Sequence, residues 1–176
     1  MRRTTLVRDA IVGVGAGLFG AKVMSPATSK LYEYQTDQAK EKETEASYGV
    51  AYNVAAKKTA GLVGVELSEE QTAKAGTALH YGLGVAWVPL YMWLRRSRGY
   101  SPFGAGIASG TSMYALVDEL ANPLFGFTPP PQEYPLVTHL RGLAGHVVYG
   151  LATAAAVELA WRVVGGAPPA PRKATR

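Results

Sequence analysis

Four apolar stretches, each close to the length that crosses a lipid hydrocarbon core, leave this chain few ways to fold. That core is ~30 Å thick and an α-helix rises about 1.5 Å per residue, so roughly 20 residues suffice. The stretches cover residues 10–32 (AIVGVGAGLFGAKVMSPATSKLY), 76–94 (GTALHYGLGVAWVPLYMWL), 102–122 (PFGAGIASGTSMYALVDELAN) and 137–161 (VTHLRGLAGHVVYGLATAAAVELAW). Lys22 interrupts the first and Pro26 should kink it. Ser68 with Gln71 three residues on forms a capping box, so the second helix starts before its apolar run, in SEEQTAKA. Pro102 falls in the first turn of the third helix, which stops around Pro123.

The expectation is an all-α integral membrane protein: a four-helix bundle in one domain over residues 1–164, with a short extra amphipathic helix between helices one and two. Residues 33–75 hold that insert. They begin as a polar, mixed-charge linker (EYQTDQAKEKETEAS) and continue into a stretch over 46–64 where Tyr48, Ala51, Val54 and Ala55 follow helical spacing. This stretch is either a surface helix or a loop of the same composition. The tail over 165–176 (GGAPPAPRKATR) has the composition of a disordered basic segment.

Charge placement sets the orientation. The chain carries a formal +5, but its basic residues sit in short blocks beside apolar runs: Arg2, Arg3 and Arg8; Arg95, Arg96 and Arg98; Arg172, Lys173 and Arg176. Four spans with both termini cytoplasmic put all three blocks inside, and leave outside a charge-balanced linker and GFTPPPQEYP, which has no Lys or Arg. That pattern suits the bilayer rather than nucleic acid. No cysteine occurs in the 176 residues, which removes thiol chemistry and disulfides. Glycines recur along the helices: Gly13, Gly17 and Gly20; Gly106 and Gly110; Gly142, Gly145 and Gly150. In lipid they let backbones approach, whereas in water each would cost roughly 1 kcal/mol against alanine.

Polar residues gather at one predicted depth. Asp118 lies ~24 Å along the third helix from Pro102, near the outer face. His80 on the second helix and His146 on the fourth reach the same level, with His139 and Arg141 above. One stripe on each helix carries them: Gly76, His80, Gly84, Trp87 and Tyr91; Thr111, Tyr114, Asp118 and Asn122; His139, Gly142, His146, Tyr149 and Thr153. Intramembrane ionisable groups face the interior and pair with one another. His80, Asp118 and His146 are expected to form a hydrogen-bond network that locks the helices in register beneath the proline turn; the alternatives are a proton or small-ligand site and a two-histidine, one-carboxylate site for a divalent metal. Glu119, turned about 100° from Asp118, is expected near Lys22 or Lys30, and Arg141 at lipid headgroups or Asp118. Glu158 is expected paired or snorkelling, and Trp93 and Trp161 interfacial or packing. Pro129, Pro130 and Pro131 stiffen a short outer turn with Gly126 and Thr128.

At FGFTPPPQEYPLVTHLRGLAGHVVYGLATAAAVE the chain resembles the YagU-like family of bacterial inner-membrane proteins, in which a GLTPP-type turn precedes a helix bearing a Gly-His pair and a later glutamate. On that resemblance Gly126, Thr128, Pro129, Pro130, Gly145, His146 and Glu158 take the matching positions, and His80 matches a histidine of the second helix. The likeness covers mainly residues 76–160. It implies a multi-pass protein of the bacterial cytoplasmic membrane with no established activity.

No phosphate loop, no nucleophile with a base and little mass outside the membrane point to a non-enzymatic structural, accessory or stress-related protein. No cofactor is required, and a divalent metal is the one candidate. The expected partners are the bilayer and another copy or a membrane complex. Two alternatives remain open: a proton- or metal-handling protein or membrane enzyme using His80, Asp118 and His146, and a secreted helical bundle whose first apolar run is a cleaved signal peptide.

Overall fold

A computed structural model describes residues 3–164, and every regular element among them is helical. The expected tail over 165–176 lies outside the described residues. The first helix, α1, runs Arg3–Glu33. Two short helices follow, α2 at Asp37–Ala46 and α3 at Ala51–Gly61. A long α4 covers Glu69–Ser97, α5 covers Pro102–Met113, and after a proline-rich turn α6 covers Leu136–Val163. Two of them, over Thr5–Glu33 and Leu136–Val163, are long and apolar enough to cross a membrane. In α4 the histidine, tyrosines and glycines dilute the apolar run, and α5 is short because its rod changes helical type.

Helix ends form where the side chains favour them. Ser68 Oγ accepts from the Gln71 amide while Gln71 Oε1 accepts from the Ser68 amide, the reciprocal cap that starts α4. Ser101 Oγ accepts from the Gly104 amide at 3.0 Å, and Pro102 opens α5 where its missing N–H costs nothing. The α1 helix continues through Pro26, with the Ser25 and Thr28 hydroxyls donating to the Ala21, Met24 and Ser25 carbonyls around it.

Part of the expected polar linker is helical. Residues 37–46 form α2, capped by Thr36 Oγ1, which accepts from the Ala39 amide at 3.2 Å. None of its residues is buried, so it shows no apolar face by which sequence could reveal it. The α3 helix, half of the expected 46–64 stretch, packs on α4. Gly76 makes room for it: a Cβ there would meet Asn53 Oδ1 at 2.0 Å.

Four rods carry the core. The α1 helix packs on α4 and α6, and α5 packs on α4 and α6, so each flank is shared. Contact is backbone to backbone at the glycines. A Cβ on Gly150 would lie 2.1 Å from the Gly106 carbonyl oxygen, and one on Gly110 the same distance from that of His146. At one end Val88, Tyr91, Val157 and Trp161 are fully buried.

Ion pairs close that same end. Arg96 grips the Asp9 carboxylate with both terminal nitrogens, and Trp161 Nε1 donates to Asp9 at 3.3 Å. The Arg96 guanidinium also lies 4.2 Å from the Trp161 ring centroid. Glu158 accepts from Arg95 Nε at 2.5 Å and from the Tyr91 hydroxyl at 3.0 Å, so it is paired as expected. Two arginines of the middle basic block are therefore spent on ion pairs within the protein, leaving Arg98 over the exposed Trp93 ring.

Candidate functional site

Beyond Met113 the α5 rod widens into a π-helix over Tyr114–Ala121. Its hydrogen bonds reach five residues back, as in the Asn122 amide donating to Val117, and such segments are rare and concentrate at functional sites. Here the wider turn has a direct effect. Tyr114 and Glu119, five apart, come onto one side, and the Tyr114 hydroxyl donates to Glu119 Oε1.

That geometry overturns one expectation. Glu119 does not meet Lys22 or Lys30; it accepts from His139 Nδ1 at 2.7 Å, and Lys30 pairs with Glu33 instead. An α-helix turns about 100° per residue, a period the π-helix does not keep. His139 Nε2 sits 2.9 Å from the Pro131 carbonyl, and a carbonyl only accepts. Both ring nitrogens thus face oxygens, so Nε2–H donates to the carbonyl and one proton lies between Nδ1 and the Glu119 carboxylate. The turn itself is tied down as well. Gly126 takes φ +66°, and the Phe127 and Thr128 amides donate to the Asn122 carbonyl. Lys58 of α3 donates to the Gly126 carbonyl at 2.5 Å.

Arg141 does not pair with Asp118. It binds Glu43 of α2 through both terminal nitrogens at 2.9 and 2.6 Å, its guanidinium 5.0 Å from the Tyr32 ring centroid. Thr138 Oγ1 donates to the same carboxylate at 2.7 Å. Glu43 was overlooked because it lies in the segment read as linker. With no buried residue of its own, α2 depends on this contact. Arg141→Met is expected to free it, removing about 1.5–3 kcal/mol of charge-assisted bonding. Hydrogen exchange of the 40–46 amides should then quicken by roughly tenfold or more.

Together these elements frame a half-open chamber of about 260 Å³ with Asp118, Glu119, Tyr52, Tyr114 and Tyr134 on its wall. Asn122 lines it too. Burial pushes the Tyr52 hydroxyl up to about 12, with the Asp118 charge adding to the effect. Burial likewise raises Tyr134. Both therefore remain neutral phenols that can donate.

A small recess adjoins the chamber, lined by Asp118, His80, His146 and Tyr52, so the three residues expected to converge do meet around one void. They do not form a metal centre. Among the described residues no set of three His, Asp or Glu side chains is placed to hold a metal ion. His146 Nδ1 lies 2.9 Å from the Gly142 carbonyl, so that nitrogen carries a proton and cannot itself ligate, and Asp118 stands 3.6 Å from it. His80 Nε2 is buried without a partner. The proposed ligand set His80, Asp118 and His146 is corrected accordingly. A scan against protein-family models, a search of curated proteins and a search of solved structures each found no match to the chain.

Proposed function

We propose that the chain is a four-pass protein of the bacterial cytoplasmic membrane with a non-enzymatic, structural or accessory role. It is a four-helix membrane bundle with both termini cytoplasmic, and its kinship with the YagU-like family is part of the same proposal. The observation that carries the reading is the distribution of side chains. Large apolar residues face outward on every rod: Ile11 is 69% exposed, Leu79 46%, Phe103 65% and Leu159 64%. Meanwhile Asp9, Ser109, His146 and Thr153 are buried. Water-soluble domains rarely leave such wide apolar surface, whereas lipid-facing rods with paired ionisable groups inside follow the membrane rule.

The first helix favours retention over cleavage as a signal. It supplies Val12, Ala16 and the Asp9 carboxylate to the core, so its removal would strip one side of the bundle. Ion pairs joining residues far apart in sequence at both ends support a holding role, since they fix which helices are neighbours.

The cysteine-free sequence makes the topology simple to test. Ser97→Cys and Glu41→Cys each add one thiol at an exposed position at opposite ends of the bundle. In intact spheroplasts a membrane-impermeant maleimide should label Glu41→Cys and spare Ser97→Cys until lysis, and carbonate washing should leave the protein in the pellet. Equal labelling before lysis, or release by carbonate, would remove the reading.

A further inference from the structure

We propose that the outer chamber is a binding site for a small organic ammonium ion, with Asp118 as its counter-ion. Charge accounting leads to Asp118. Of the three carboxylates on the chamber wall, Glu43 is neutralised by Arg141 and Glu119 is held by His139 and Tyr114. Among the described residues Asp118 has no donor within hydrogen-bond distance; its nearest cationic candidate there, His146 Nδ1, is 3.6 Å away and gives its proton to Gly142. A third of the Asp118 side chain stays accessible, at 34%, on the wall of the chamber and its recess.

The recess adds a second, independent sign. Beside the buried, partnerless His80 Nε2, His146 has a side chain only 5% exposed and its Nδ1 proton committed to the Gly142 carbonyl, which leaves its Nε2. With Nδ1 carrying the proton, that nitrogen presents a lone pair. A carboxyl group without a donor partner and an imidazole acceptor therefore border the same recess. Such an acceptor-rich site suits an occupant that is positively charged or rich in donors.

The remaining wall decides the kind of cation. Tyr52, Tyr114 and Tyr134 offer aromatic rings rather than the ring of carboxylates and carbonyls that a hard metal ion needs. Neutral tyrosine faces attract ammonium groups, methylated ones especially. A volume of about 260 Å³ admits a molecule the size of choline. The inference goes beyond the membrane assignment and stands on the chamber alone.

The full chain in detergent, titrated calorimetrically with choline, should show saturable binding. The neutral carbon isostere dimethylbutanol should not reproduce it, nor should potassium chloride at the same concentration. Asp118→Asn should weaken choline at least about tenfold, and Tyr52→Leu about threefold. Absence of saturable choline binding by the wild-type protein overturns the proposal, as does equal binding of the isostere or of potassium. So does undiminished binding by folded Asp118→Asn. Because the probe comparison uses the unaltered protein, it holds even where a variant fails to fold. Carbonate extraction and maleimide labelling are independent of it, so loss of this site leaves the membrane assignment standing.

Discussion

Gly150→Leu is expected to prevent the bundle from assembling. A Cβ at that position would sit 2.1 Å from the Gly106 carbonyl oxygen and 3.0 Å from the Gly110 amide nitrogen, both backbone atoms that no rotamer change can move. The only relief is for α5 and α6 to part, which also breaks the close approach of Gly110 to His146. Overpacking in an ordinary core costs about 1–3 kcal/mol, and a seam that cannot repack should exceed that range. Folded yield in detergent and resistance to denaturation by SDS would both fall. Gly82→Ala supplies the contrast, because nothing lies within 4 Å of its Cβ. That change should be tolerated, or should stabilise α4 by up to about 1 kcal/mol.

A comparable loss is expected for Asp9→Leu. The substitution strands Arg96 among buried groups and deprives Trp161 Nε1 of its acceptor. Removing one partner of a buried pair typically costs about 3–5 kcal/mol, whereas replacing both by apolar groups is often neutral or better. The double variant Asp9→Leu with Arg96→Met should therefore recover much of the stability lost by the single one, measured as the SDS or thermal midpoint. A double variant no more stable than Asp9→Leu would show that the pair itself, rather than the stranded charge, holds α1 to α4.

What sequence revealed and what it hid divides along physical lines. Local rules held where the structure is local: the Ser68 and Gln71 cap, Pro102 after Ser101, and the glycine seams are read from spacing alone. Glu158 could be expected to pair because an unpaired carboxylate at that depth is costly. The misses share one cause. Hydrophobic periodicity is silent for α2, which buries nothing; Thr36 before an alanine-, lysine- and glutamate-rich run was the signal available. Glu43, Arg141 and Asp9 find partners across 98 and 87 residues of chain, distances at which spacing carries no information. Glu119 was aimed wrongly because an α-helical turn was assumed through Tyr114–Ala121.

That π-helical stretch has a further consequence for how the rod is geared. A helix that widens for a few residues advances its angular phase, so everything after Ala121, including the departure point of the proline turn, is set by the count of residues inside the widened coil. Deleting a single residue there would let the coil relax to the narrower pitch. The carboxylates would then be clocked away from α6, and the turn that carries Pro131 to His139 would leave from a different side of the rod.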